Sequence, residues 1–138
     1  MVGNLSAKKE RDYGAIFAPY LLREDVLFII SSDFCHWGAD FDFIPHDKSC
    51  GEVWKSVEQL DREGMRLIEE HDAEGFHHYL VRTENTICGR HPIAVFLNAV
   101  QQSGLSLKTK FAAYAQSGKA ETELDSSVSY ASSLTYLA

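Results

Sequence analysis

The chain has 138 residues, 45% of them hydrophobic and 12% aromatic, which suits one packed domain and is too apolar for a disordered segment. Thirteen Lys and Arg against twenty Asp and Glu give a formal charge of −7, which argues against nucleic acid and anionic membrane as partners. Three cysteines do not make a disulfide scaffold, and no apolar run exceeds the five residues of Val26–Ile30, far short of the roughly 18 residues of a bilayer span. No signal-peptide pattern opens the sequence, so a cytoplasmic or nuclear location is expected.

In chain order, Asn4 or Ser6 is placed to cap a first helix running to about Leu22, with Tyr13, Ile16, Phe17 and Tyr20 on one stripe and Pro19 kinking or ending it. Val26–Ser31 reads as a short strand buried on both faces, as in a parallel sheet. Ser32–Lys48 is polar, aromatic and irregular. A long helix is expected from Gly51 to about Glu70, carrying Val53, Val57, Leu60, Leu67 and Ile68. Asp72 is placed to cap a further helix bearing Phe76, Tyr79 and Leu80, and Thr83–Arg90 is read as a loop. Pro92 opens an apolar helix to Ser103, closed by Gly104. Two alternating segments, Leu105–Ala113 and Ser127–Leu137, read as strands around a charged turn at Ser117–Ser126. The order predicts a layered α/β domain, a mixed sheet with flanking helices. Three visible strands are few for such a sheet, which suggests part of a larger unit.

Two clusters could carry chemistry. The first, SSDFCHWG at 31–38, follows the expected strand, where α/β sheets place ligands. Its Asp33 and His36 make a candidate catalytic pair, since a carboxylate can fix an imidazole's tautomer and leave the other nitrogen for a proton or a metal. The same residues also read as a turn cap and a hydrogen-bonded histidine. Trp37 either lines a ligand pocket or plugs the edge of the core. The second cluster is Asn85–Pro92. A helix N-terminus with Arg90 or protonated His91 nearby would favour the Cys88 thiolate, and Cys88-x-x-His91 is compatible with metal ligation without making a complete site. A buried structural cysteine and a turn-stabilising histidine are the plainer alternative. Cys35 reads as packing, Cys50 and His46 as surface, and adjacent His77 and His78 cannot share a metal on one helix.

SSDFCHWG at 31–38, NTICGRHPI at 85–93, YAQS at 114–117, DSSVSYA at 125–131 and the helix around VEQLDREGM at 57–65 together resemble the Memo family, mediator of ErbB-driven cell motility. The resemblance runs over essentially the whole chain, 1–138, and corresponds to the C-terminal half of the usual family chain. It implies a fold shared with the extradiol non-haem-iron dioxygenases and a pocket equivalent to their active site. It also implies iron or copper held by two histidines and a cysteine. Cys88 takes the place of that cysteine, His36 that of a pocket histidine near the metal, and Asp33 that of the pocket aspartate. The two ligand histidines fall in the family's N-terminal half and have no counterpart here, so weak metal binding is expected. The implied partners are a phosphotyrosine peptide or a small-molecule ligand, with Trp37, Arg90 and His91 as ligand-binding candidates. The implied roles are signalling, cell motility and copper-linked redox activity. A metal-dependent oxidoreductase and a truncated domain without its own activity are the alternatives. Without its other half the chain should expose apolar surface around Val26–Ile30 and tend to self-associate.

Overall fold

The computed structural model describes residues 4–138, so the first three positions of the expected 1–138 domain lie outside the described residues. Helix α1 (Ala7–Phe17) starts where Ser6 accepts a hydrogen bond from the Lys9 amide, and Pro19 turns the following Ala18–Leu22 into a 3₁₀ helix. Helix α2 covers Val53–Glu69, and α3 covers Ala73–Thr83, capped by the Asp72 side chain on the Gly75 amide. Helix α4 spans Arg90–Ser103 and ends at Gly104, which takes the left-handed conformation (φ 69°) that glycine tolerates. Pro92 therefore sits two residues inside the helix. The expected helices all stand.

The face that α1 buries differs from the expected stripe. Tyr13, Ile16 and Tyr20 are exposed, and Glu10, Gly14 and Ala18 face inward instead. The reason is the close approach of α1 to α4: a Cβ on Gly14 would lie 2.6 Å from the Asn98 Cβ. A glycine and a hydrogen bond between Glu10 and His91 at 2.6 Å suit that contact better than bulky aromatics do.

Strand β1 (His36–Trp37) pairs with β3 (Ser127–Leu137), which pairs with β2 (Leu107–Gln116), so β3 is central. Every pairing is antiparallel: His36 faces Val128, and Leu107 faces Leu137, with a register shift between Phe111 and Ala113. The α/β class holds, with a small antiparallel sheet in place of a mixed one. Both strands form, at 107–116 and 127–137, but the face that β3 turns inward carries Ser127 and Ser129, and Tyr130, Leu134 and Tyr136 on the apolar side of the alternation are exposed. The main core gathers Phe34, Met65, Phe76, Tyr79, Ile87 and Leu97, and a smaller one joins Cys35, Trp37, Val53, Val57 and Ala120.

The expected buried strand at Val26–Ser31 does not form. Its residues run without regular structure, and Leu27 and Ile29 are each 83% exposed. A strand needs a neighbouring ladder to satisfy its amides and carbonyls. The available neighbour, β3, bonds Phe34 and Cys35 through Ser129 and makes no bond further back toward Ile30. Continuous apolar character predicts cover on both faces, but one face alone is covered. Phe28 packs edge-on to Phe17 at 6.2 Å and near Phe96 at 6.4 Å, and Ile30 lies against the main core.

Candidate metal centre

Two segments far apart in sequence meet at the start of α4. Residues 31–37 run alongside the turn 85–89, and the join depends on small groups. Ser32 Oγ accepts from the Gly89 amide at 2.9 Å. A Cβ on Gly89 would lie 2.5 Å from the Ser32 Cβ and 2.8 Å from the Ser31 carbonyl, so no other residue fits the turn there. Thr86 locks the second segment from behind: its hydroxyl accepts from the His36 amide at 2.7 Å and donates to the His36 carbonyl at 2.9 Å.

This join brings Asp33, His36 and Cys88 together. One ligand atom from each lies within 4.8 Å of the others, the one such grouping of three found among the described residues. The Asp33 amide donates to Cys88 Sγ at 3.3 Å, and His36 Nε2 stands 3.8 Å from the Asp33 carboxylate, beyond a hydrogen bond. His36 Nε2 is buried and has no hydrogen-bond partner among the described residues. The edge-on ring of Phe41, 5.1 Å away, restricts its imidazole. Cys88 is exposed, and Asp33 and His36 are half-buried, so the cluster opens to solvent. A thiol, an imidazole and a carboxylate converging there match the donor chemistry of iron, copper or zinc, with positions left open.

The remaining candidates lie elsewhere. Trp37 is fully buried in the smaller core with its indole N–H on the Pro45 carbonyl at 2.9 Å, which presents no surface to a ligand beside Cys88. His91 is taken by Glu10, and Arg90 donates to Asn4 at 3.4 Å, so both turn toward the N-terminal segment. Cys35 is buried, and burial next to Asp61 pushes its thiol well above the usual range. Cys50 donates to Gln59 at 2.8 Å, and His46 meets the Gly51 carbonyl at 2.8 Å.

Sequence reasoning missed Asp61. It is fully buried and accepts from the Cys35 amide (3.3 Å), Asn85 Nδ2 (2.9 Å) and the Tyr114 hydroxyl (2.9 Å). Asn85 Nδ2 also donates to the Tyr79 hydroxyl at 2.6 Å. Burial raises the Asp61 carboxyl above its usual range although each of these donors, and Ser129, pulls it down. The carboxylate thus ties α2 to the residue before His36 and to the residue before Thr86. A signal existed: Asp61 occupies the i+4 position from Val57 on the apolar stripe of α2, where a charge has to be satisfied.

Comparison with known proteins places these segments in context. The family model described as Memo-like protein matches residues 1–134. The chain is 48% identical over 134 residues to Protein MEMO1 of Rattus norvegicus and to that of Homo sapiens, covering 95% of this chain and 45% of each relative. It is 41% identical to Protein memo-1 homolog of Caenorhabditis elegans, over 99% of this chain and 41% of that one. The chain therefore spans less than half the length of these curated relatives.

Proposed function

The chain belongs to the Memo-like protein family, and from that premise we propose that it carries the cysteine-bearing part of a metal- and ligand-binding site used in signalling or redox control. The observation that carries this reading is the convergence of Cys88, His36 and Asp33 around an unpartnered buried imidazole nitrogen. Cys88 would hold the metal as its thiolate, steadied by the Asp33 N–H. His36 Nε2 faces the same space and is oriented by the backbone clamp from Thr86 and by Phe41. The Asp33 carboxylate, 3.8 Å away, is placed to complete the donor set. Bound iron or copper would supply one-electron chemistry. Three donors leave room for further ligands, in line with the weak binding that the resemblance implies. The cytoplasmic setting and the link to cell motility extend from the family resemblance as part of the same proposal.

A second reading, recognition of a phosphotyrosine peptide or another anionic small ligand, is favoured by Arg90. Its guanidinium lies at the start of α4 and makes one long bond to Asn4, so it could turn to an anion at the helix N-terminus. An oxidoreductase acting through His36 and Asp33 remains the catalytic form of the first reading.

The test is anaerobic titration of the purified chain with cobalt(II), whose thiolate bond gives a charge-transfer absorption. Wild type, Cys35→Ser and Cys50→Ser should show the band, and Cys88→Ser should lose it. Equal loss in all three variants, or a band that survives Cys88→Ser, would refute the assignment. A phosphotyrosine titration of wild type against Arg90→Ala decides the recognition reading separately.

A further inference from the structure

The two segments that form the cluster meet at one oxygen atom behind it. Asp61 Oδ1 accepts from the Cys35 amide at 3.3 Å, next to His36, and from Asn85 Nδ2 at 2.9 Å, next to Thr86. The His36 side has further anchors: the Phe34 amide donates to the Ser129 carbonyl, and the buried Trp37 indole reaches the Pro45 carbonyl. The Cys88 side begins with Asn85 itself. The chain leaves α3 through Glu84 in the left-handed conformation (φ 53°) and buries Asn85 at once, to 3% exposure.

The Asn85 amide works as a double donor. Nδ2 also donates to the Tyr79 hydroxyl at 2.6 Å, and that hydroxyl donates to the Leu60 carbonyl at 3.0 Å. Chemistry fixes the orientation, since turning the amide would set its oxygen against the Asp61 carboxylate. Oδ1 is then left buried with no partner among the described residues. A stranded buried oxygen costs stability, and an apolar side chain would fill the space without that cost. What an apolar side chain lacks is the pair of N–H groups that join Asp61 on α2 to Tyr79 on α3. Downstream, the Thr86 hydroxyl grips the His36 backbone by both its functions, and the Gly89 amide donates to Ser32. Asn85 is the first of the links that hold the turn carrying Cys88 against the segment carrying His36.

We propose that Asn85 is the positioning residue of the Cys88–His36–Asp33 cluster. By binding Asp61 and Tyr79 with its two N–H groups, it fixes the 85–89 turn against residues 31–37 and so sets the separation of sulfur and imidazole. The use of that separation rests on the metal reading, while the geometry itself is testable without metal.

Amide exchange is measured on wild type, Asn85→Ala and Asn98→Ala, alongside the urea stability of each. Asn98 is a second buried amide, whose side chain donates to the Ala94 carbonyl within its own helix. Asn85→Ala should speed exchange of the His36 amide, which bridges the two segments, at least about tenfold more than that of the Phe34 amide. Its cobalt(II) affinity should fall at least about tenfold. Asn98→Ala should speed both amides alike, as global destabilisation does, and bind cobalt(II) like wild type. Tyr79→Phe, which removes one of the two acceptors, decides the matter where Asn85→Ala does not fold. There the His36 amide should gain at least about threefold on that of Phe34. An unchanged His36-to-Phe34 ratio in the folded variant, or an equal loss of cobalt(II) in Asn98→Ala, would overturn the proposal. A wild type that binds no cobalt(II) refutes the metal reading instead, and the exchange ratio still decides the role of Asn85.

Discussion

Replacing Asp61 tests whether the buried carboxylate holds the site together. Asp61→Ala removes an acceptor from the Cys35 amide, Asn85 and the Tyr114 hydroxyl at once. The tyrosine can fall back on Ser129 Oγ at 3.3 Å, and Asn85 keeps the Tyr79 hydroxyl at 2.6 Å. The Cys35 amide and half of the Asn85 amide group are left without partners. At about 1–3 kcal/mol for each stranded buried group, the expected loss is about 3 kcal/mol. Asp61→Asn keeps the shape and one acceptor, and the hydroxyls of Tyr114 and Ser129 can rotate to receive its N–H groups, so about 1 kcal/mol is expected.

The pH dependence has a definite sign. Burial raises the folded carboxyl above its ordinary value near 3.8. Between those two values the folded state binds more protons than the unfolded one, so wild-type stability falls as pH rises through the window. Asp61→Asn lacks that proton, and its deficit against wild type should narrow as pH rises from about 4. Urea unfolding followed by fluorescence of buried Trp37 measures both effects. An alanine variant within about 0.5 kcal/mol of wild type, or a deficit that widens with pH, would refute the reasoning.

Gly14→Ala should cost about 1–3 kcal/mol by thermal or urea unfolding, since its methyl would meet Asn98 on α4; an unchanged midpoint would mean the helices can separate freely. Gly89→Ala should weaken cobalt(II) binding about tenfold while leaving secondary structure intact by circular dichroism, because its Cβ collides with Ser32 and pries Cys88 from Asp33. Full affinity in that variant would show that the two segments need no close join.

The helices and the β2–β3 hairpin were legible because each carries its own local signal. Ser6 and Asp72 cap by their side chains, Gly104 ends α4, and 107–111 and 127–132 alternate by twos. What failed depended on distant parts of the chain. Val26–Ile30 has the composition of a buried strand, yet burial is conferred by neighbours, and the ladder that would complete it is not among residues 4–138. The stripe on α1 was misjudged because a glycine contact with α4 outweighs aromatic periodicity. The site was half legible: Asp33, His36 and Cys88 converge, although their meeting comes from the 31–37 and 85–89 segments joining and not from the end of a parallel sheet. Arg90 and His91 share the motif but turn to Asn4 and Glu10, a choice set by the position of α1.

The molecule is therefore closed on one side and open on the other, and the boundary falls inside a single extended segment. From Phe34 to His36 the backbone is tied down: the Phe34 amide donates to the Ser129 carbonyl of β3, the Ser129 amide donates to the Cys35 carbonyl, the Cys35 amide meets Asp61, and His36 is clamped by Thr86. Upstream of Ser32 the backbone of 27–31 has none among the described residues. Amide exchange tracks the free energy of opening, so the Cys35, His36 and Ser129 amides should exchange only on near-global unfolding. Those of Leu27 to Ile30 should exchange in the dilute chain at nearly unprotected rates, at least about 100-fold faster. Uniform protection across Leu27–His36 would mean that the segment finds a partner by itself. In that case the rigidity of the Asp33–His36 pair could no longer be traced to Asp61 and Thr86.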